Sequence, residues 1–175
     1  MNVVLIGYRC AGKTVVGTVI AEQMGWDLVD TDAMIEMSVN RPIEAIINDK
    51  GWNYFRWIEK GIIEKISGQD KQVISTGGGV VLDEDNVRRL RKNGWIVWLK
   101  ADAETVRKRM AHDQGKGNMR PSLTGTDPIY EIEEILKTRT PLYEKACDFM
   151  VDTSVNSIRG IADIIMEQFS RVKVR

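Results

Sequence analysis

The chain has only two cysteines and one histidine among its 175 residues. Cys10 and Cys147 cannot form the disulfide framework of a small secreted protein, and they are too few for a structural zinc site. Disulfides are typical of oxidising compartments, so this cysteine usage predicts a reduced, cytoplasmic protein.

Long apolar runs and an excess of charge of either sign are also missing. No apolar run approaches the ~20 residues that a helix needs to cross a bilayer, and the first residues lack the basic segment and apolar core of a signal peptide. Lys and Arg together number 25, as do Asp and Glu, so no net field favours nucleic acid or a membrane surface. We expect neither as a partner. Nothing in the sequence suggests a large apolar interface, which favours a monomer.

The chain does contain enough apolar residues, 43%, for a hydrophobic core. It has no internal repeat, low-complexity segment or linker, so we predict one domain over residues 1–175. Short β-rich runs alternate with helical patterns, which predicts an α/β fold whose parallel sheet is covered by helices on both faces. The predicted strands are residues 3–6, 27–29, 73–75, 95–99 and 149–151.

Two apolar stripes at helical spacing accompany these strands. Residues three and four apart lie on one face of a helix, so we expect both stripes to pack in the core and not to bind a cofactor. The stripes are Phe55, Ile58, Ile62 and Ile66, and Ile158, Ile161, Ile165 and Phe169.

The most informative motif is GYRCAGKT at residues 7–14, between the first predicted strand and an amphipathic stretch. It matches GxxxxGK[ST], the phosphate-binding loop. Backbone N–H groups of such a loop and the positive end of the following helix hold a triphosphate. Lys13 would reach the outer phosphates, and the Thr14 hydroxyl would bind Mg²⁺. The residues expected to contact the nucleotide here are Cys10, Ala11, Gly12, Lys13, Thr14 and Val15.

Two carboxylates and three glycines follow the next predicted strands. Asp30 and Asp32 follow the second strand, and Gly77, Gly78 and Gly79 follow the third. Ligands bind beyond the carboxyl ends of parallel strands, so these residues and the phosphate loop would meet at one edge. One carboxylate suits Mg²⁺, and the other would orient an attacking hydroxyl. Alternatively, Asp32 caps the helix that follows it, a role compatible with catalysis, and the glycines form an ordinary loop.

Three arginines stand apart from the other basic residues. Arg56 lies in a helical segment with Glu59 three residues on, Arg120 precedes a proline, and Arg139 lies near a predicted helix end. The segment around Arg120, at about residues 111–126, is rich in glycine and poor in apolar anchors, which predicts a flexible lid. Such a lid would exclude water and neutralise charge during phosphoryl transfer. The alternative interpretation of each arginine is an ordinary solvated charge on the protein surface.

Taken together, these motifs resemble those of the shikimate kinase family over the whole chain. The combination of DTD, FRxxE, GGG and an arginine-proline lid motif in this order is specific, whereas other small kinases share the phosphate loop alone. The segments that carry the resemblance are GYRCAGKT at 7–14, LVDTD at 28–32, YFRWIE at 54–59, STGGGVV at 75–81, MRPSL at 119–123, RTPLY at 139–143 and VDTS at 151–154.

The resemblance implies a three-layer P-loop fold, like that of nucleoside monophosphate kinases, with a central parallel sheet of about five strands. It implies transfer of the γ-phosphoryl group of ATP to the 3-hydroxyl of shikimate, a step toward aromatic amino acids. ATP and shikimate would be the substrates, with Mg²⁺ as the cofactor. A helical region at about residues 33–62 would bind the acid, and the lid at about 111–126 would close over both substrates.

The resemblance also implies roles for residues at matching positions. Lys13 would steady the phosphates, Asp32 would bind the diol of shikimate and act on the attacking hydroxyl, and Arg120 would close onto ATP with the lid. Metal would be bound by Thr14, with Asp30 helping through water. The residues implied to bind shikimate are Asp32, Arg56, Gly77, Gly78, Gly79 and Arg139.

Within that set, Arg56 and Arg139 would hold the shikimate carboxylate, and Gly78 would contribute its backbone N–H. Two guanidinium groups are what a small acid requires, so the residue types agree with the resemblance. Glu59 would support Arg56. Arg109 and Asn156 match the adenine-binding positions of the family only loosely.

Three positions depart from the family pattern. Cys10 stands where glycine is common, and a cysteine there is strained if the backbone needs a positive φ. Ser122 replaces an apolar lid residue, which we expect to change lid packing and not chemistry. Trp57 is bulky for its position, and nothing in the sequence explains it.

Alternative functions stay open on the sequence alone. Another small-molecule kinase, for gluconate or a nucleoside monophosphate, would share the phosphate loop. A nucleobase acceptor favours aromatic or amide groups, whereas the acceptor side here offers Asp32, Arg56, Arg139 and glycine backbone. A nucleotide-dependent switch would carry an Asn-Lys-x-Asp or DxxG motif, and neither is found. The intact set of predicted site residues disfavours a kinase-like protein that has lost activity.

Overall fold

A computed structural model describes residues 1–115 and 131–173. All five predicted strands are confirmed, and each is one or two residues longer than predicted. The strands are β1 (Asn2–Ile6), β2 (Asp27–Asp30), β3 (Gln72–Ser75), β4 (Gly94–Lys100) and β5 (Phe149–Asp152).

The strands form one parallel sheet in the order β2-β3-β1-β4-β5. In the centre of the sheet, Val4 of β1 lies between Ile74 of β3 and Ile96 of β4. Because β2 and β3 extend the sheet on one side of β1, and β4 and β5 on the other, the chain changes direction across the sheet at β1. In open α/β sheets the crevice at such a point is where ligands bind.

Helices connect the strands on both faces of the sheet. α3 is interrupted at Gly51, whose φ of 77° and ψ of 172° are not helical. No helix within residues 1–115 and 131–173 is both long and apolar enough to span a bilayer. The helices are α1 (Lys13–Met24), α2 (Thr31–Val39), α3 (Ile43–Ile66), α4 (Glu84–Asn93), α5 (Ala103–Gly115), α6 (Ile132–Ala146) and α7 (Ile158–Lys173), with a 3₁₀ helix at Val80–Leu82.

Alternation along β1 divides the core between the two faces of the sheet. Val3 and Leu5 pack in one cluster with α1, α5, α7 and the start of α6. Val4 and Ile6 pack in a second cluster with the end of α3, α4 and the end of α6. Successive side chains of a strand point to opposite faces, so a strand buried on both faces is apolar throughout. The predicted three-layer fold is confirmed.

A third apolar cluster lies within α2 and α3. It consists of Ile35, Ile46, Phe55 and Ile58, and it is separate from the two clusters on the sheet. The helical region at about residues 33–62 therefore has its own small core. Its assignment to acid binding stays a prediction.

The stripe of α7 is only partly buried. Ile161, Ile165 and Phe169 are in the core, as predicted. For Ile158 the prediction is wrong, because its side chain is 48% exposed and lines the cleft described below. Ile158 is the first residue of α7, and the first turn lies at the rim of the cleft, beyond the layer that covers the sheet.

Candidate active site

A cleft of about 970 Å³ lies at the carboxyl ends of β1, β2 and β3. The predicted site residues within the described ranges all line it, although they come from distant parts of the sequence. Arg120, and the predicted lid from residue 116 onward, lie outside the described residues. The predicted residues in the cleft are Cys10, Ala11, Gly12, Lys13, Thr14, Val15, Asp30, Asp32, Arg56, Gly77, Gly78, Gly79, Arg109, Arg139 and Asn156.

The phosphate loop joins β1 to α1 and is turned by glycines. Gly7 has a φ of 144° and Gly12 a φ of 95°, values that residues with a side chain rarely adopt. Lys13 is largely buried, and its Nζ donates to the carbonyl oxygens of Gly7 at 2.8 Å and Tyr8 at 2.9 Å. Gly12 precedes α1 and provides no side-chain cap. The first turn of a helix offers N–H groups and a positive dipole end, so the start of α1 suits an anion.

Cys10 adopts the left-handed conformation, with a φ of 59°. The condition for strain stated from the sequence is therefore met. Its Sγ lies 3.6 Å from Oδ2 of Asp113 in α5, to which the thiol donates. A residue with a side chain pays about 1–2 kcal/mol in this region, a cost that glycine avoids.

Replacing Cys10 with glycine should therefore raise the free energy of unfolding by about 1 kcal/mol. Chemical denaturation of the ligand-free protein measures this. Asn40→Gly is the matched control, because Asn40 also has a positive φ, 50°, but asparagine tolerates this region. An equal rise in the free energy of unfolding in Asn40→Gly and Cys10→Gly would contradict the assignment of strain to Cys10. A fall in the free energy of unfolding in Cys10→Gly would contradict it as well.

Three oxygen atoms cluster behind the phosphate loop. Thr14 Oγ1 donates to Asp30 Oδ2 at 2.8 Å and lies 3.2 Å from Ser75 Oγ. Hydroxyl and carboxylate oxygens are the ligands that Mg²⁺ prefers. In residues 1–115 and 131–173, no group of three His, Cys, Asp or Glu side chains is arranged to hold a metal. The donor set thus suits a cation that also binds phosphate oxygens.

Asp30, and not Asp32, caps α2. Oδ1 of Asp30 accepts the backbone N–H groups of Asp32 at 3.0 Å and Ala33 at 3.2 Å. The capping alternative considered for Asp32 is therefore wrong. Asp32 is in the first helical turn, where its carboxylate is not used as a cap and lines the cleft.

Gly77 makes room for two carboxylates. A Cβ at this position would lie 2.8 Å from Asp32 Oδ1 and 3.0 Å from Glu59 Oε1. Its N–H donates to Thr31 Oγ1 at 3.0 Å, which ties β3 to the start of α2. The glycine turn therefore is not an ordinary loop, because the absence of a side chain brings acidic groups close to the backbone.

An ion pair with Glu59 holds the Arg56 side chain in place. Its Nη1 donates to both carboxylate oxygens of Glu59, at 2.8 and 2.7 Å. The guanidinium carbon lies 5.4 Å from the ring centre of Trp52 and 5.1 Å from that of Phe55. Glu59 is fully buried, and burial raises the pKa of its carboxyl group while Arg56 opposes the rise. A Cβ on Gly79 would overlap the guanidinium of Arg56.

Arg139 approaches the same turn from α6. It is 8% exposed, and its Nη1 donates to the carbonyl oxygen of Gly78 at 3.2 Å. Arg56 and Arg139 therefore lie at successive glycines, Gly79 and Gly78. Two guanidinium groups along one turn form a binding surface for a small carboxylate.

Arg109 of α5 connects the phosphate loop with the segment after β5. It donates to the carbonyl oxygen of Cys10 at 3.1 Å, and to Thr153 Oγ1 and O at 3.1 and 2.6 Å. Asn156 Nδ2 donates to the carbonyl oxygen of Asp152 at 2.9 Å. Arg109 and Asn156 thus line one end of the cleft, beside the exposed Ile158.

Sequence reasoning missed several residues that line the cleft. Ser75 is the last residue of β3, and its place at a strand end was the available signal. Arg9 lies inside the phosphate-loop motif and is largely buried, with its Nη1 3.8 Å from Glu131 Oε1. Thr153 lies in the VDTS segment that the resemblance includes, but it was assigned no role, because its role depends on the contact with Arg109.

Comparison with known proteins agrees with this geometry. The shikimate kinase family model matches residues 9–170. A shikimate kinase from Caldicellulosiruptor saccharolyticus is 43% identical over 165 residues, which are 94% of this chain and 93% of the relative. One from Thermodesulfovibrio yellowstonii is 39% identical over 171 residues, 98% and 96% of the two chains. The solved structure of shikimate kinase from Acinetobacter baumannii in complex with shikimate matches with a TM-score of 0.90 at 29% identity, covering 99% of this chain and 95% of that one. The chain therefore belongs to the shikimate kinase family, and the ATP-dependent shikimate kinase activity predicted from its sequence is confirmed.

Proposed function

We propose that ATP binds along the phosphate loop, that shikimate binds at the glycine turn, and that the γ-phosphoryl group passes directly to the 3-hydroxyl. The observation that carries this proposal is that one cleft joins the phosphate loop to Asp32, Arg56 and Arg139. A phosphate site alone would suit any nucleotide-binding protein. A carboxylate and two arginines beside it suit an acceptor that is both an acid and an alcohol.

On the acid side, Arg56 and Arg139 bind the shikimate carboxylate. Glu59 holds Arg56 through Nη1, while Nη2 lies beside Gly79. Because both arginines are held by other groups before shikimate arrives, little side-chain freedom is lost on binding. Asp32, beside Gly77, binds the diol and accepts the proton of the attacking hydroxyl.

On the nucleotide side, the loop N–H groups and Lys13 hold the phosphates. Lys13 exchanges the carbonyl oxygens of Gly7 and Tyr8 for phosphate oxygens when ATP binds. Arg109 and Asn156 line the adenine end. Arg120, which lies outside the described residues, would add positive charge at the phosphates.

Thr14 and Asp30 fit a divalent cation, which we propose to be Mg²⁺. Their oxygens are of the type this ion prefers, and it commonly uses few protein ligands together with phosphate oxygens. When bound, Mg²⁺ neutralises charge on the phosphates. Thr14 would hold the ion through its hydroxyl oxygen, and Asp30 would help directly or through water, while its Oδ1 caps α2.

The chain's own contribution is positioning and charge neutralisation, without a covalent intermediate. Asp32 sets the direction of the hydroxyl, the arginines set the position of the acid, and Lys13 sets that of the phosphates. Since phosphoryl transfer requires attacking and leaving oxygens in line, these three constraints define the reaction.

Release of ADP from Mg-ATP tests this proposal, with shikimate, quinate, gluconate and nucleoside monophosphates compared as acceptors. We expect release that depends on shikimate, that is lost without Mg²⁺, and that the other acceptors do not support. Release driven by another acceptor would overturn the roles of Arg56 and Arg139. ATP binding without release would overturn the catalytic assignment as a whole.

Replacing Gly79 with alanine should raise KM for shikimate by about tenfold or more, with KM for ATP unchanged. The added methyl group occupies the position of the Arg56 guanidinium, so the arginine must move away from the acid, a displacement that costs at least one charge-assisted hydrogen bond. Gly79 has a φ of −104°, which alanine adopts without strain.

Gly68→Ala is the matched control for this variant, because nothing lies within 4 Å of a Cβ at Gly68. Initial rates at saturating ATP measure KM for shikimate in both variants. An unchanged KM for shikimate in Gly79→Ala would show that Arg56 does not hold the acid from its present position.

We also propose that the enzyme acts as a monomer. The cleft of this chain brings the phosphate loop together with Asp32, Arg56 and Arg139, the groups that the proposal uses to bind both substrates. The cytoplasmic location expected from the cysteine usage stays a prediction.

A further inference from the structure

Behind the glycine turn, one backbone carbonyl accepts two donors from α6. Tyr143 Oη donates to the carbonyl oxygen of Gly78 at 2.5 Å, and Arg139 Nη1 donates to the same oxygen at 3.2 Å. Tyr143 is fully buried and is not among the residues that line the cleft. Its hydroxyl therefore reaches the substrate only through groups it holds in place.

The peptide that joins Gly78 to Gly79 transmits this contact. In a trans peptide the C=O of one residue and the N–H of the next point in opposite directions, and the described chain contains no cis peptide bond. Fixing the Gly78 carbonyl toward α6 therefore directs the Gly79 N–H away from α6. Among the described residues, the Gly79 N–H donates no hydrogen bond to another backbone group.

The Val80 N–H closes the turn by donating to the Gly77 carbonyl oxygen at 3.1 Å. A turn closed in this way can hold its central peptide, here the one between Gly78 and Gly79, in either of two orientations. Three successive glycines have wide backbone freedom, and none has a side chain to pack. Gly78 does lie close to the phosphate loop, since a Cβ there would be 3.2 Å from the backbone N of Arg9 and 3.3 Å from the Gly7 oxygen. That packing limits translation of the turn, but rotation of a peptide plane needs a hydrogen bond to prevent it.

Tyr143 is itself held firmly. Its ring stacks on Trp98 of β4, with ring centres 5.8 Å apart and planes at 23°. Burial raises the pKa of Tyr143 to about 12, so the phenol stays protonated and remains a donor over the working pH range. The central sheet thus fixes the ring, and the ring fixes the hydroxyl.

We propose that Tyr143 is a positioning residue for acid binding, which orients the Gly78–Gly79 peptide and shares the Gly78 carbonyl with Arg139. Through this carbonyl it sets both the direction of the Gly79 N–H and the location of the Arg139 guanidinium. The chemical group it serves is the carboxylate of the acceptor. This inference rests on the acid site proposed above.

Replacing Tyr143 with phenylalanine tests the proposal, because it removes the hydroxyl and leaves the ring on Trp98. We expect KM for shikimate to rise about tenfold, as for the loss of one buried hydrogen bond that orders a binding group. We expect kcat and KM for ATP to change less than about twofold. Tyr54→Phe is the matched control, since Tyr54 is an exposed tyrosine of α3 that stacks on Trp57 and lies outside the cleft; its KM for shikimate should not change.

A shikimate analogue with a methyl ester in place of the carboxylate separates positioning from a general loss of structure. With shikimate, KM of Tyr143→Phe should be about tenfold that of the parent protein. With the ester, KM of the two proteins should be nearly equal. An equal ratio for both acceptors would overturn the proposal, as would an unchanged KM for shikimate or a parallel rise in KM for ATP. Absence of shikimate turnover in the parent protein would instead overturn the proposed function.

A second variant keeps the proposal testable if Tyr143→Phe does not fold. Trp98→Phe retains the Tyr143 hydroxyl but reduces the ring that supports it. We expect KM for shikimate to rise two- to fivefold, with KM for ATP unchanged. An unchanged KM for shikimate in this folded variant would overturn the supporting role of the stack and, with it, the proposal.

Discussion

Replacing Asp32 with asparagine should reduce kcat about a thousandfold and leave the dissociation constant for ATP within about threefold of its original value. General-base catalysis contributes on the order of 10²–10⁴ to a rate, and asparagine does not accept the proton of the attacking hydroxyl. The amide keeps the size of the side chain, so the close approach of residue 32 to Gly77 is retained. Asp30, which caps α2, is unchanged, so the helix should keep its position.

Steady-state kinetics with shikimate, together with ATP titration of the acceptor-free protein, measure the two quantities. Asp27→Asn is the matched control, because Asp27 is an exposed carboxylate at the other end of β2, and its kcat should not change. A kcat for Asp32→Asn within tenfold of the parent would remove Asp32 from the chemical step. Loss of ATP binding would assign it to the nucleotide site instead.

The elements of the fold were largely predictable because each has a local signal. Strands β1 and β4 are buried on both faces, which makes them continuous apolar runs. The observed boundaries of these two strands differ from the predicted ones by no more than one residue at each end. The parallel arrangement followed from the alternation of strands and helices. Parallel topology in turn brought the motifs after β1, β2 and β3 to one edge, so most of the cleft lining was predicted without knowledge of side-chain positions.

Side-chain partnerships were not predictable, because they depend on contacts between elements distant in sequence. The capping role went to Asp30 where Asp32 had been considered, since residue types that cap helices are also those that bind metals and protons. The exposure of Ile158 differs from the prediction for a similar reason. A stripe at helical spacing identifies a face, and it does not report where the layer that covers that face ends.

Tyr143 illustrates the same limit at the site itself. Its motif, RTPLY, was quoted for the family resemblance, but the residue was assigned no role. Its contact with Gly78 joins residues 65 apart in sequence. Only the geometry reveals that the hydroxyl, the Arg139 guanidinium and one glycine carbonyl form a unit. Positioning residues of this kind have no chemical signature in a sequence, because their effect depends on what they hold.

Replacing Lys13 with methionine should reduce kcat/KM for ATP by about a thousandfold. The ammonium group is a buried positive charge at the phosphate loop. Removing one group that stabilises developing charge costs about 10²–10³ in rate, to which weaker ground-state binding adds. Methionine has nearly the same length as lysine and fills the same space without charge. Lys108→Met is the matched control, because Lys108 also lines the cleft but is exposed and paired with Glu104 at 2.6 Å; it should change kcat/KM less than threefold.

The same variant has a second expected effect that does not involve the substrate. In the ligand-free protein Lys13 donates to the buried carbonyl oxygens of Gly7 and Tyr8, and methionine leaves both without that donor. Loss of a donor to buried acceptors costs about 1–3 kcal/mol, so the free energy of unfolding should fall by that amount in the absence of ATP. Denaturation with and without ATP separates the two effects: the parent gains stability from the nucleotide and Lys13→Met gains much less. Unchanged stability without ATP would contradict the contacts with the loop, whereas an equal gain from ATP in both proteins would contradict the role of Lys13 in binding phosphate.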